Sequence, residues 1–562
     1  MPTQLSVPIK CGGRKTYGHC TPEEDRAYQK MAVPPRRVIP IVFIPGIMGS
    51  NLRMSSARQL QLKKKNNIAW RPDNATELGK FSLTSAADRQ LQLDPYQTTV
   101  DTFADGSSPT GDKEESPLDR HAVGQVNVFI GYDRLSPLLT NDPPTENPRY
   151  LVADKARQRG WSEVFLSSYR NILENCEKYL NASVDNDRWR SIIGRDPVEW
   201  AAVPAYGLTP LTKAEYLAVM TDCFFPVHAM GYNWLQDNEL SAVHLCKRVV
   251  ALIQKYQKAE FRCEKVILVT HSMGGLVARA MIHPDIGGLR EKVLGIVHGV
   301  MPALGSPAAY KRMRSGFEQD TPQSFAASFP LGHTGSRVTA VLGNSAGGLQ
   351  LLSCKAYGDG WLEVRHNKSL FACLPQRGDP YEEIYKTNNR WYGLLREEWL
   401  NPALAFHAGL AHTKNLLDIA KLFHDHLSET YHPNTYAHYG VDSDRPSWEK
   451  ISWHLNTNFS GVDWNDLSIE SDNEQGTLTL TSLPKHQTER KLSGTAVLGP
   501  STGKGDQTVP SRSSDHQLLN AKLRGVFRQS GYEHQSSYSN ESVLNATLYS
   551  IVKIAQQMTW PK

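Results

Sequence analysis

Short apolar runs alternate with polar, helix-like segments along much of the chain. Residues 38–44, 266–270 and 293–299 are rich in the β-branched side chains that buried parallel strands favour. Residues 226–234 are a further candidate strand, and the spacing of apolar positions predicts a helix from about residue 239 to residue 257. This alternation predicts an α/β fold built on a doubly wound, mostly parallel sheet.

The C-terminal part of the chain returns to the same pattern after a long interruption. Residues 495–499 and 524–530 are predicted strands that rejoin the sheet, and residues 541–557 are a predicted final helix. We therefore predict a core in two parts, residues 1–300 and 491–562.

Two interruptions of the pattern predict additions to this core. Residues 54–225 are insertion-rich within its first part. Residues 301–490 are rich in Trp, Tyr, Leu and His, with helical periodicity at 390–400 and 416–427 and a hairpin pattern over 467–480. We predict that residues 301–490 form a mainly helical cap or lid domain.

The composition is that of a globular protein. The 562 residues are 40% hydrophobic, and 62 Lys and Arg against 57 Asp and Glu leave a formal charge of +5. So small an excess over so long a chain predicts no basic face and no nucleic-acid partner. No run reaches the ~18 apolar residues of a membrane span. The first residues lack the apolar segment of a secretory signal, so we expect synthesis in a cytoplasm without a cleavable leader.

The cysteines and acidic residues do not form a recognisable metal-binding pattern. None of the 8 cysteines forms a CxxC pair. Most are expected to be reduced thiols, and a bridge between Cys11 and Cys20 stays open. No ligand spacing stands out, so whether an ion binds is left open, and no cofactor is expected.

The segment VILVT-His271-Ser272-Met273-Gly274-Gly275 joins a predicted strand to a predicted helix through a serine. Such a nucleophile elbow exposes the serine hydroxyl above the sheet and turns the helix N-terminus towards developing negative charge. Ser272 is the predicted nucleophile. His271 and His298 are predicted to be packing residues.

The loop PGIMGSN, which follows the strand at 38–44, is the second predicted part of the site. Acyl transfer develops an anion on the carbonyl oxygen, and two preorganised backbone amides stabilise it. We predict that the amides of Met48 and Met273 form this oxyanion hole.

A serine nucleophile needs a base and an acid, which follow it along the chain in this kind of fold. Asp506, in the segment GDQTVP, follows a predicted strand and is the predicted acid, whereas Asp515 and His516 are weaker candidates because no strand precedes them. His534, in GYEH, lies between a predicted strand and the last helix and is the predicted base.

These segments occur together in one known group. In order, PGIMGSNL, MGYNWL, THSMGG, LGSP, GDQTVP and GYEH make the chain resemble the lecithin:cholesterol acyltransferase and lysosomal phospholipase A group of α/β-hydrolases over about half its length. It is also similar to the bacterial lipase effectors that type VI secretion injects into rival cells, which carry a large cap and no signal peptide. Thr270 stands where the family usually has glycine.

The resemblance implies an α/β-hydrolase fold and a serine lipase or phospholipase that forms an acyl-enzyme on Ser272, with Asp506 as acid and His534 as base. It also implies an antibacterial toxin delivered to the periplasm of target cells. The implied partners are membrane phospholipid, a cognate immunity protein and a component of the secretion apparatus. Two alternatives stay open, a lipid acyltransferase with the same triad and a non-catalytic scaffold that acts by binding.

Two surface features bear on lipid contact. Trp391, Tyr392, Leu395 and Trp399 have helical spacing and either face a lipid interface or, as such patterns more often do, pack the cap onto the core. Lys63, Lys64 and Lys65 either attract anionic head groups or form a solvated face, which is the commoner role of a lysine run.

Overall fold

The structure is a computed structural model. It describes residues 36–103, 110–124, 152–181, 185, 187–221, 223–319, 322–367, 369–387, 390–459, 462–482, 491–519 and 522–561, and, as backbone strands alone, 9–10, 13–19 and 28–33.

The strands are β1 Ile9–Lys10, β2 Gly13–His19, β3 Tyr28–Val33, β4 Arg37–Val38, β5 Ile41–Ile44, β6 Leu52–Met54, β7 Ile68–Trp70, β8 Thr98–Val100, β9 Cys223–Phe224, β10 Val227–Ala229, β11 Val266–His271, β12 Val293–Gly299, β13 Leu362–His366, β14 Ser369–Leu374, β15 Thr435–Gly440, β16 Asp442–Ser447, β17 Ile451–Leu455, β18 Ser468–Asp472, β19 Thr477–Thr481, β20 Ser493–Leu498, β21 Gly503–Gly505 and β22 Leu523–Gln529.

The α-helices are α1 Ser56–Gln61, α2 Ala75–Ser82, α3 Ala86–Gln92, α4 Pro117–Arg120, α5 Val152–Gln158, α6 Leu166–Leu180, α7 Asp187–Arg190, α8 Lys213–Met220, α9 Asn238–Lys258, α10 Gly274–Ile282, α11 Pro307–Ser315, α12 Pro322–Leu331, α13 Gly335–Leu342, α14 Ala346–Leu349, α15 Glu397–Leu400, α16 Leu410–Leu427, α17 Ser511–Asp515 and α18 Glu541–Ala555.

The main sheet has the strand order β10-β5-β11-β12-β15-β22, and each neighbouring pair is parallel. Both faces are covered. On β5, Val42 and Ile44 join the apolar cluster that includes residues of α9 and α10, whereas Ile41 and Phe43 join the cluster that includes residues of α6 and α18. The doubly wound α/β sheet predicted from the apolar runs is confirmed, as is the α/β-hydrolase class.

One strand of the main sheet comes from within the region predicted to be the cap. β15 pairs with β12 on one side and β22 on the other. Its sequence, TYAHYG, lacks the β-branched run that marks β5, β11 and β12. It is buried because it lies inside the sheet, between β12 and β22, and not because of its composition. Residues 301–490 are therefore not one continuous addition to the core, and this expectation is corrected.

The insertions before and after β15 jointly form a second sheet, with the order β14-β13-β17-β20-β19-β18. The hairpin predicted at 467–480 is confirmed as the antiparallel pair β18 and β19. β20, predicted to rejoin the main sheet, pairs with β17 and β19 instead. Five strands of this sheet lie within residues 301–490 beside helices α11 to α16, so the region holds a sheet as well as the predicted helices.

The aromatic run at 390–400 is largely not helical, because only α15 at its end forms a helix. Trp391 is buried and donates its indole N–H to the carbonyl of Trp464 at 2.8 Å. Trp399 is also buried, against the guanidinium groups of Arg314 and Arg396. These aromatics pack within the fold and do not form a lipid-facing patch.

Other surface and cysteine predictions have mixed outcomes. Lys64 pairs with Glu77 at 3.4 Å and Lys65 pairs with Glu114 at 2.6 Å, so this run is not a free binding site for head groups.

The six cysteines of the described ranges are free thiols, whereas Cys11 and Cys20 lie outside the described residues. In those ranges no helix is long and apolar enough to span a bilayer, and no His, Cys, Asp and Glu side chains cluster as metal ligands.

Candidate active site

The carboxyl edge of the main sheet gathers the segments predicted to carry the chemistry. Ser272 follows β11, and the loop PGIMGSN follows β5, its neighbour in the sheet. His534 follows β22, and Asp506 lies in the insertion between β15 and β22. Since the strands are parallel, their ends meet at one edge, which is where open α/β sheets bind ligands.

Ser272 occupies a strained turn between β11 and α10. Its φ of 53° lies in the left-handed region, and its backbone N–H donates to the carbonyl of Gly299 at 2.8 Å. A Cβ on Gly274 would lie 2.4 Å from the carbonyl oxygen of Pro45, so only glycine lets the helix start so close to the neighbouring loop. The geometry is that of a nucleophile elbow.

Ser272, His534 and Asp506 form one hydrogen-bonded chain. Nε2 of His534 lies 2.9 Å from Oγ of Ser272, and Nδ1 lies 2.8 Å from Oδ2 of Asp506. The three residues are buried, at 5%, 6% and 1% exposure respectively. With a proton on Nδ1 donated to the carboxylate, Nε2 is left to accept the serine proton, which is the arrangement that activates a serine for attack.

Backbone donors hold the carboxylate of Asp506 in place. Its Oδ1 accepts the N–H groups of Thr508 at 3.2 Å and Val509 at 2.7 Å, which leaves Oδ2 for the imidazole. The backbone N–H of His534 donates to the carbonyl oxygen of Asp506 at 2.9 Å, so the two loops are joined twice. The weaker candidate Asp515 instead pairs with Arg528 at 2.9 Å.

The loop after β5 and the start of α10 present the predicted oxyanion donors. Met48 has a φ of 59°, and its carbonyl accepts the indole N–H of Trp70 at 2.7 Å, which fixes the following peptide. Met273 is the N-cap of α10. Within the described ranges, neither N–H donates to a protein acceptor, so both are available to an oxygen of a bound substrate.

Sequence reasoning missed two residues next to the site. His271, predicted to be a packing residue, has its Nε2 3.0 Å from the backbone oxygen of His534 and its Nδ1 3.1 Å from the hydroxyl of Tyr169. The position of His271 directly before the nucleophile could have indicated a role at the site. Nothing in the sequence indicated Tyr169, because α6 lies in the insertion-rich region. His298, by contrast, is a buried core residue beside Thr270, as predicted.

A narrow crevice with room for about one water molecule adjoins the oxyanion loop at Met48. Its wall is mainly apolar, with aromatic rings from β7 and α2 and aliphatic side chains from α13. Arg89 and Arg337 also line it, and burial lowers the pKa of Arg89 to about 9, helped by the neighbouring Arg337. Arg89 donates to the backbone oxygens of Phe329 and Pro330, and neither arginine has a carboxylate partner in the described ranges.

Comparison with known proteins supplies two matches. Residues 229–348 match the family model of the PGAP1-like alpha/beta domain. In the crystal structure of the Tle4–Tli4 complex, a chain with 31% sequence identity superposes with a TM-score of 0.72, and the match covers 93% of this chain and 99% of that one. Among curated proteins, none matches.

Proposed function

This chain belongs to the family of Tle4, a type VI secretion phospholipase effector, and we propose that it hydrolyses carboxylic esters of membrane phospholipids through an acyl-enzyme on Ser272. The observation that carries the proposal is the chain of hydrogen bonds from Ser272 through His534 to Asp506.

In the first half-reaction, Oγ of Ser272 attacks the ester carbonyl while Nε2 of His534 takes its proton. The imidazolium is stabilised by Asp506, and the oxyanion is bound by the amides of Met48 and Met273. His534 then protonates the leaving alcohol, a lysophospholipid. In the second half-reaction it removes a proton from water, whose oxygen attacks the acyl carbonyl, and it returns that proton to Oγ of Ser272 as the fatty acid leaves.

The crevice beside Met48 supports a lipid substrate through the character of its wall. An acyl chain that packs against this apolar surface, beside the oxyanion loop, would gain about 0.8 kcal/mol for each methylene that it buries. Arg89 and Arg337 add positive charge at this wall, and neither pairs with a carboxylate of the described ranges. A glycerophospholipid carries a phosphate that complements them, whereas a triacylglycerol does not.

Family membership supports a proposal for how the protein is delivered and neutralised. We propose that the protein is an antibacterial effector injected through a type VI apparatus into the periplasm of target cells, where its phospholipid is accessible. Tle4 forms a complex with Tli4. A producing cell must protect itself, so a cognate immunity protein is the expected partner of this chain.

The test is product analysis by mass spectrometry. Vesicles of phosphatidylglycerol and phosphatidylethanolamine, and a triacylglycerol emulsion, are incubated with the wild type, Ser272→Ala and the control Ser353→Ala, with and without an added alcohol. Ser353 is buried with no hydrogen-bond partner for its hydroxyl in the described ranges, so its loss should be neutral. We expect lysophospholipid and fatty acid from the wild type and from Ser353→Ala, and neither product from Ser272→Ala. Acyl transfer to the alcohol would indicate an acyltransferase, and no product from folded protein would contradict the proposal.

A further inference from the structure

Tyr169 and His271 lie where three loops of the candidate site meet. The Tyr169 hydroxyl accepts the backbone N–H of Gly46, in the oxyanion loop, at 3.2 Å, and lies 3.1 Å from Nδ1 of His271. Nε2 of His271 lies 3.0 Å from the backbone oxygen of His534. The contacts thus link α6, the oxyanion loop, the nucleophile strand and the loop of the base.

The donors and acceptors of this network allow one arrangement of protons. The backbone oxygen of His534 can only accept, so Nε2 of the neutral His271 ring carries the proton and Nδ1 is left as an acceptor. The Tyr169 hydroxyl, whose oxygen accepts the Gly46 N–H, donates its proton to Nδ1.

The surroundings keep the network neutral and closely packed. Burial lowers the pKa of His271 to about 3, with a further contribution from His534, and burial raises the pKa of Tyr169 to about 12. A Cβ on Gly46 would lie 2.9 Å from Nδ1 of His271, so the oxyanion loop rests directly on this ring. His271 is 1% exposed and Tyr169 is fully buried.

We propose that Tyr169 and His271 are positioning residues for the hydrolysis. Tyr169 binds Nδ1 of His271 and holds Gly46, and His271 holds the His534 backbone through its Nε2–H, so that the base and the oxyanion loop keep their places relative to Ser272. This role rests on the proposed function for its catalytic consequence, whereas the proton arrangement does not.

The hydrogen bonds of Tyr169 and His271 join two loops that follow distant strands of the sheet. His534 is on the segment after β22 and Met48 is on the segment after β5, which are separated in the sheet by β11, β12 and β15. Reaction requires both to stay aligned with Oγ of Ser272, and a misplacement of about 1 Å can cost on the order of 100-fold in rate. His271, next to Ser272 in the chain, couples both loops to the nucleophile.

The kinetic test uses a soluble short-chain p-nitrophenyl ester, which separates chemistry from membrane binding. Tyr169→Phe should lower kcat about tenfold, through loss of one hydrogen-bonding hydroxyl. His271→Leu should lower kcat about 100-fold with little change in KM. His271→Gln, whose amide nitrogen can reach the position of Nε2, should recover most of that loss, because it restores the donor to His534.

Matched controls separate positioning from general loss of stability. His424 is also buried, and its Nε2 lies 2.8 Å from the backbone oxygen of Gln350, outside the candidate site. Tyr385 is buried and donates its hydroxyl to the carbonyl of Ser353 at 2.8 Å. His424→Leu and Tyr385→Phe should lower the melting temperature as the test variants do, and leave kcat and its pH profile unchanged.

A second measurement reads the proton arrangement without turnover. In protein with ¹⁵N-labelled histidine rings, His271 should show the Nε2–H tautomer and no titration between about pH 5 and pH 8. Tyr169→Phe should keep this tautomer, because the His534 carbonyl can only accept, and should shift the Nδ1 resonance through loss of its hydrogen bond. An Nδ1–H tautomer in the wild type, or unchanged kcat and pH profile in folded His271→Leu and Tyr169→Phe, would overturn the proposal. A wild type that hydrolyses no ester would contradict the proposed function alone, and the NMR result would still decide the arrangement.

Discussion

Gly46 is the position where a single methyl group should disturb the oxyanion loop most selectively. A Cβ added there would lie 2.9 Å from Nδ1 of His271 and 2.9 Å from Cβ of Ser272. Both atoms belong to the nucleophile elbow, which is held by β11 and α10. The oxyanion loop is therefore the part that must move in Gly46→Ala.

The size of the effect follows from the displacement. Ordinary contact begins at 3.4 Å, so the loop must retreat by about 0.5 Å. A hydrogen bond of about 2.9 Å from the Met48 amide to the oxyanion would lengthen to about 3.4 Å, beyond the normal range. Loss of one oxyanion donor costs about 2.7–4 kcal/mol of transition-state stabilisation, or 100- to 1,000-fold in kcat. We expect at least 100-fold.

The assay is steady-state hydrolysis of a soluble p-nitrophenyl ester, with thermal unfolding measured in parallel. The expected result is a lower kcat with KM nearly unchanged, because the donor acts on charge that develops only in the transition state. Gly79→Ala is the matched control. Gly79 lies within α2 with nothing within 4 Å of an added Cβ, so alanine should stabilise the protein by roughly 0.5–1 kcal/mol and leave kcat unchanged.

A folded Gly46→Ala variant with the kcat of the wild type would refute the reasoning. The loop after β5 would then not supply an oxyanion donor, and the assignment of Met48 would fail with it.

Three further predictions address the triad, the loop and the histidines. Asp506→Asn should lower kcat about 10⁴-fold through the wrong imidazole tautomer, whereas Asp515→Asn should change it little, as stopped assays at equal folded protein would show. Trp70→Phe removes the 2.7 Å bond to Met48 and should lower kcat about tenfold with unchanged KM in the ester assay. Burial lowers the pKa of His438 from 6.5 to about 3. Between these two pH values the unfolded chain binds a proton on His438 that the folded chain does not bind. The free energy of unfolding should therefore fall as the pH falls. Melting temperatures from about pH 7.5 to about pH 5.5 should show this fall, and a slope unchanged in His438→Phe would count against it.

The sequence was most informative where buried strands meet glycine-rich turns. The apolar run before Ser272 and the glycine-rich loop that contains Met48 can both be recognised from their local sequence. A buried parallel strand must be apolar, and an elbow needs a small residue where helix and strand approach. The structure brings Ser272, Asp506 and His534 together at one sheet edge, although they lie far apart in the chain. Their catalytic roles remain a prediction.

The sequence was least informative where tertiary position overrides local pattern. β15 lies inside the main sheet although its residues are polar and aromatic. Trp391 and Trp399 have helical spacing, yet Trp391 packs on Trp453 of the second sheet and both are buried within the fold. The contact of Tyr169 with His271 joins an insertion to the core. No periodicity encodes such contacts, because they depend on how an insertion folds back over the sheet.

The central claim is that Ser272 is the activated nucleophile, and a fluorophosphonate probe tests it most directly. Wild-type protein is treated with the probe, digested and mapped by mass spectrometry, beside Ser272→Ala and Ser353→Ala. The account predicts one covalent adduct on the peptide that contains Ser272, present in the wild type and in Ser353→Ala and absent from Ser272→Ala. An adduct on another residue, or none on folded wild-type protein, would contradict it.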